Sequence, residues 1–133
     1  MWRDKSVMVV EDDEGIRDFL GRALGTELGA YTVVARDGQE ALKWADRLRP
    51  SVIVLDLVLP SVDGFEVARR IKGDPRLART CIIAVSAATP TAEVRRRALE
   101  AGCDAFMPKP FRVDDLLHLV HTRLLEFEQP VQE

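Results

Sequence analysis

The sequence predicts an α/β protein: a parallel β-sheet covered by helices on both faces. Three observations carry that prediction. Five short apolar runs, Ser6–Val10, Tyr31–Ala35, 52–55, 81–85 and 105–107, have the length of strands rather than helices. Each is followed by a segment whose apolar residues recur at helical spacing. The 133 residues suit one domain, and no linker, low-complexity stretch or longer repeat interrupts the alternation. Strand and helix alternating five times implies parallel pairing with right-handed crossovers.

The first strand, SVMVV, runs into Glu11, Asp12 and Asp13. In the helix that follows, Ile16, Phe19, Leu20, Ala23 and Leu24 fall at i, i+3, i+4, i+7 and i+8 and are expected to form its buried face. Gly29 closes that helix and YTVVA makes the second strand. Asp37-Gly38 turns the chain into a helix with Ala41, Leu42, Ala45 and Leu48 facing inward, ended by Pro50. The third strand is an apolar run that stops on Asp56, as expected of a strand buried on both faces. Pro60 and Asp63-Gly64 mark a loop before a helix carrying Val67, Ala68 and Ile71, broken by Gly73-Asp74-Pro75. The fourth strand, CIIAV, ends on Ser86. A helix from about Thr89-Pro90-Thr91, with Pro90 in its first turn, runs to about Ala101 and is capped by Gly102. The fifth strand ends on Pro108-Lys109-Pro110. The last helix places Val113, Leu116, Leu117, Val120 and Leu124 inward, with Asp114 and Asp115 near its start. From Glu126 the chain is polar and is expected to fray, and 129–133 form a polar tail.

Composition excludes several classes. Apolar residues make up 47% and charged residues 31%, ordinary for a globular domain. A net charge of −3, from 19 basic and 22 acidic side chains, gives no global field toward nucleic acid or membrane. Cys81 and Cys103 form neither a disulfide framework nor a metal cluster and read as small hydrophobes in a reducing compartment. No apolar run suits a signal peptide or a membrane span, so the expected location is the cytoplasm.

The chemistry-bearing residues fall at strand ends. Glu11 and Asp12 follow the first strand, Asp56 ends the third, Ser86 the fourth and Lys109 the fifth. In a parallel sheet these ends share one rim, where ligands bind. Carboxylates crowded there repel one another unless a cation intervenes, and hard oxygen donors in a partly hydrated site favour Mg²⁺. A carboxylate kept ionised can act as a nucleophile toward phosphorus. Lys109 and Ser86 supply the charge and the hydrogen bond that a phosphoryl group needs. The inventory fits an aspartyl phosphate formed on Asp56.

VVEDDE, VLDLVLPSVDGFE, AVSA and MPKPF, in that order and each at a strand end, resemble the receiver domain of two-component response regulators over nearly the whole chain. The resemblance implies a doubly wound, flavodoxin-like five-stranded sheet in the order 2-1-3-4-5, with residues 1–128 as the receiver. It implies that Asp56 accepts a phosphoryl group from a sensor histidine kinase or histidine phosphotransfer protein, without enzymatic turnover. Asp12, Asp56 and the Val58 carbonyl would hold Mg²⁺, with Glu11 acting mainly through metal-bound water. Ser86, Ala87 and Lys109 would bind the phosphoryl group, and the Lys109–Pro110 bond would be cis. Ser86 and Phe106 would move together as a switch. That movement reshapes the face of helix four, strand five and helix five for a downstream protein or a second copy of the chain. Phe106 carries no hydroxyl with which to report its position. Val58 and Ala88, two residues beyond Asp56 and Ser86, offer no group to orient or deprotonate water, which implies slow loss of the phosphoryl group.

Plainer readings stand beside these. Glu11, Asp12 and Asp13 could cap a helix, and Asp13 is read as a cap alone. Lys109 could be a surface lysine, Ser86 could bond its own backbone at a turn, and Phe106 could be core. Arg95, Arg96 and Arg97 read as a solvated face or as a selector of partners, and Leu119, Leu125 and Phe127 as a surplus apolar face on the last helix. A haloacid-dehalogenase-type phosphatase would want an acid at Val58, and a flavin binder would want Ser, Thr and Gly where Glu11-Asp12-Asp13 stands. A receiver-shaped scaffold working without phosphorylation is the closest alternative.

Overall fold

The computed structural model describes residues 5–128. Its elements in chain order are β1 (Ser6–Val10), α1 (Glu14–Leu28), β2 (Tyr31–Ala35), α2 (Gly38–Leu48), β3 (Val52–Asp56), α3 (Gly64–Gly73), β4 (Cys81–Ser86), α4 (Thr91–Glu100), β5 (Ala105–Pro108) and α5 (Val113–Glu128). A single turn of 3₁₀ helix, Pro75–Leu77, lies between α3 and β4. The five strands pair in parallel in the order β2-β1-β3-β4-β5. This is the doubly wound order expected from the resemblance.

The central strand explains the architecture. Every residue of β3 is buried, because helices cover both faces of the sheet. One core packs Met8, Ile53, Leu55, Val67, Ile71 and Ile82 on the α2–α3–α4 side. The other packs Val9, Leu24, Val54, Ile83, Leu116 and Leu124 on the α1–α5 side. Truncating one such leucine to alanine costs roughly 2–5 kcal/mol. Helix starts are fixed by aspartates: Asp13, Asp37 and Asp63 each accept a hydrogen bond from the amide three residues on, worth about 1 kcal/mol apiece. At Gly38 a Cβ would collide with the Val62 carbonyl, so the Asp37-Gly38 pair also permits close packing of the loop before α3.

Several expectations need correction. In α1 the buried stripe is Leu20, Leu24 and Leu28, whereas Ile16 and Phe19 are 42% and 56% exposed. The helix carries more apolar residues than one face holds, and its packing on the sheet selects the stripe one turn along. Leu42 and Leu48 are only partly buried, since the small Ala41 and Ala45 take the closest approach. Pro90 is the N-cap of α4 rather than part of its first turn, and the Thr89–Pro90 bond is cis. Gly102 does follow the helix with φ of 101°, in the left-handed region.

α5 continues to Glu128, past the point where fraying was expected. Its last turns are held from a distance. Arg79 donates to the Phe127 carbonyl at 2.8 Å, and Arg79 and Lys5 lie over the Phe127 ring at 4.6 and 5.1 Å. Leu119 packs against the core, which leaves Leu125 as the exposed part of the expected apolar surplus. The tail at 129–133 lies outside the described residues. Burial pushes the Cys81 and Cys103 thiols up to about 11 and about 12, so both stay protonated hydrophobes.

Candidate functional site

Register brings the strand ends together. Val10 lies beside Leu55, Asp56 beside Val85, and Ser86 beside Pro108, so the residues that follow crowd one rim. Glu11 is 3% and Asp56 5% exposed, while Asp12 stays exposed at the mouth. Carboxylate oxygens of Glu11, Asp12 and Asp56 all lie within 4.8 Å of one another.

Lys109 sits between the two buried acids. Its Nζ donates to Asp56 Oδ2 at 2.8 Å and to Glu11 Oε2 at 3.0 Å. The other Asp56 oxygen, Oδ1, accepts from the Val58 amide at 2.9 Å, and the Asp13 amide donates to Glu11 Oε1 at 3.3 Å. One ammonium thus serves two buried carboxylates, and the charge does not balance. Burial, followed by the hydrogen bond and charge of Asp56, pushes the Glu11 carboxyl up to about 7 despite Lys109. Burial alone would lower the Lys109 ammonium, but its bonds to Asp56 and Glu11 outweigh burial and hold its pKa above the ordinary value.

The loop leaving Asp56 needs a glycine. A Cβ at Gly64 would come within 2.5 Å of Leu57 Cα and 2.7 Å of the Asp56 carbonyl oxygen. The Gly64 amide instead donates to the Leu57 carbonyl at 3.1 Å, which fastens the start of α3 beneath the site. Ser86 is buried, and its Oγ accepts from the Ala88 amide at 3.0 Å, the plainer of its two readings. Its carbonyl accepts from the Lys109 amide at 2.8 Å, tying β4 to the lysine. Ala87 and Lys109 share the wall of an apolar groove of about 340 Å³ with the exposed Ile16 and Phe19. Phe106 is partly buried on the α4 side of the sheet. The Lys109–Pro110 bond is cis. Two features lay beyond sequence reasoning: the Val58 amide as a donor to Asp56, and the direct Glu11–Lys109 bond. Backbone donors carry no residue signature.

Residues 7–121 match the model of the response regulator receiver domain. The chain belongs to that family. It is similar to the response regulator MprA of Mycobacterium leprae, 36% identical over 121 residues that cover 89% of this chain and 50% of the relative. MprA of Mycobacterium ulcerans is 39% identical over 84% of this chain and 46% of its own. This receiver domain thus spans about half the length of the curated relatives it matches. Among solved structures, the receiver domain of the Francisella response regulator 1452 superimposes with a TM-score of 0.84 at 31% identity, covering 93% of this chain and 99% of that one. The receiver domain of the Pseudomonas aeruginosa sensor histidine kinase PA1611, which has a magnesium ion coordinated in its active-site cleft, gives 0.78 at 28%, covering 90% and 97%.

The receiver's donor set fits such an ion on its own chemistry. Three carboxylates and no nitrogen or sulfur donor make a hard oxygen site, and its excess negative charge calls for a divalent cation. Among the described residues no helix is long and apolar enough to cross a membrane.

Proposed function

We propose that this receiver takes a phosphoryl group onto Asp56 from a phosphohistidine of a sensor histidine kinase or histidine phosphotransfer protein, with Mg²⁺ as its cofactor. The observation that carries this reading is the buried Asp56 carboxylate bridged by Lys109 at 2.8 Å inside a cluster of three acids. An Asp56 oxygen attacks phosphorus, the P–N bond breaks, and its electron pair leaves with the imidazole, which takes up a proton. Lys109 turns from carboxylate to phosphoryl oxygen, and the Ser86 hydroxyl and Ala87 amide hydrogen-bond the same group. Asp12, Asp56 and the Val58 carbonyl would hold the cation directly and Glu11 through water. When bound, it supplies the charge that offsets the acids and the incoming phosphoryl oxygens.

Ser86 and Phe106 form the switch that alters the face of α4, β5 and α5, where a downstream protein or a second copy docks. The chain acts as an acceptor rather than an enzyme, in the cytoplasm, contacting neither nucleic acid nor membrane itself. Residues 1–128 are the working unit and 129–133 a tail. Beryllofluoride, a phosphoryl mimic, tests the reading. With Mg²⁺ the wild type should show bound-fluoride ¹⁹F resonances, and Asp56→Asn should show none. Equal spectra from the two proteins refute the assignment and favour a scaffold that works without phosphorylation.

A further inference from the structure

The end of the sheet opposite the acidic rim carries a second concavity, of about 230 Å³, walled by Lys72, Arg79, Cys81, Asp104, Arg123 and Glu126. Its cations come from three separate places: Lys72 late in α3, Arg79 in the loop before β4, and Arg123 near the end of α5. Three cations face two acids there, so the wall keeps one positive charge in surplus.

That surplus lies with Arg79. The wall's acids pair with the other two cations, Asp104 with Lys72 and Glu126 with Arg123, and among the described residues no carboxylate pairs with Arg79. Arg79 is exposed, with its Cζ 4.6 Å from the centroid of the Phe127 ring and one bond of 2.8 Å to the Phe127 carbonyl. Arg123 is short of acceptors too. Its Nη1 meets Glu126 at 3.2 Å and its Nη2 the Asp104 carbonyl at 3.4 Å, while its Nε is enclosed and bonds nothing. An enclosed N–H without an acceptor is costly, and the Nε–Nη2 edge of a guanidinium is one that an oxyanion takes with two parallel bonds. The wall also offers acceptors. Asp104 uses Oδ2 for both Lys72 and the Ile82 amide, and Glu126 uses Oε2 for Arg123, which leaves one oxygen of each without a partner among the described residues.

We propose that this concavity binds a small phosphomonoester. Its phosphoryl oxygens bond Arg79 and the Nε edge of Arg123, and hydroxyl groups on its body donate to the open oxygens of Asp104 and Glu126. To present that edge, the Arg123 guanidinium turns outward and gives up its contact with Glu126. The volume falls below the roughly 300–1,000 Å³ of sites for drug-sized ligands, so the body is one of a few carbons. Bound there, the ligand joins the loop before β4 to the last turns of α5.

The test is an NMR titration of the full chain with glycerol 3-phosphate, in metal-free buffer at constant ionic strength. The Arg79 and Arg123 Nε–Hε resonances and the Phe127 amide should move together and saturate, with half-saturation at about 1 mM or below. Shifts that grow without saturating mean a diffuse ion atmosphere only and overturn the site. Arg79→Gln removes the surplus charge while sparing both ion pairs of the wall, and should weaken binding at least about fivefold. Arg47→Gln, which removes an exposed cation of α2, should bind as the wild type does; equal weakening by the two variants overturns the site. Arg123→Lys keeps the charge but lacks the forked edge, and should also weaken binding about fivefold. Unchanged affinity there overturns Arg123 as the contact. Inorganic phosphate should bind at least about threefold more weakly than glycerol 3-phosphate, since it leaves the two acids unbonded; equal or tighter binding overturns the phosphomonoester in favour of the free ion. Asp56→Asn should bind unchanged, because the site is independent of the acceptor, and a loss there would place the signal at the acidic rim and overturn it.

Discussion

The two ends of the sheet both hold charge against the core, but they balance it differently. At the end opposite the acidic site, Lys72 pairs with Asp104 at 2.8 Å and donates to the Thr80 carbonyl. Asp104 also accepts the Ile82 amide, and Thr80 donates to the Pro50 carbonyl. Arg123 pairs with Glu126, leaving its Nε as the unpartnered buried side-chain atom among the described residues. At that end Lys72 and Arg123 each have their own acid. At the rim, Glu11 and Asp56 share one lysine and Asp12 adds a third carboxylate. The balanced end holds the fold together. The unbalanced end is poised for a ligand that brings positive charge.

Removing one cation from each end sharpens the contrast most. Lys109→Met leaves two buried carboxylates facing each other. It should cost about 3 kcal/mol at neutral pH, roughly 10 °C in Tm, much of it recovered with Mg²⁺. Lys72→Met should cost about 2 kcal/mol through the unpaired Asp104 and Thr80 carbonyl, with no recovery on adding Mg²⁺ and unchanged phosphoryl uptake. Thermal melts of both variants with and without the cation check this, and equal recovery would erase the distinction.

pH gives the next largest effect. The Glu11 carboxyl titrates at about 7 in the folded chain against 4.5 ordinarily, so between those values the folded state binds more protons than the unfolded one. Stability of the metal-free protein should then fall as pH rises from 4.5 through 7, by on the order of 2 kcal/mol. Melts in chelator at pH 5 and 7.5 measure the slope, which Glu11→Gln should flatten. The smallest effect is kinetic. Val58 is 64% exposed at the rim and cannot activate water. Val58→Asn or Ala88→Glu should shorten the phosphoryl half-life about tenfold, a change of about 1.4 kcal/mol in barrier. An unchanged half-life would place the control elsewhere.

Strand positions and strand-end acids were legible because burial on both faces demands apolar runs and the polar residues that follow must emerge at one rim. The cis bond at Lys109–Pro110 and the sheet order came through the family resemblance. What escaped depended on partners far along the chain. Which stripe of α1 is buried follows from its packing on the sheet, so Ile16 and Phe19 could not be sorted from Leu20 and Leu24 by spacing. The end of α5 looked polar and loose because Arg79, which holds Phe127, lies 48 residues away in sequence. The Ser86 hydroxyl, by contrast, was legible as one that could bond its own backbone at a turn, and the Ala88 amide two residues on makes that bond.

Intact-mass spectrometry after incubation with acetyl phosphate across a Mg²⁺ titration tests the central claim most directly. The account requires one phosphoryl adduct on the wild type, rising with Mg²⁺, absent in chelator and absent from Asp56→Asn. An adduct of equal yield in Asp56→Asn, or one indifferent to Mg²⁺, would contradict it.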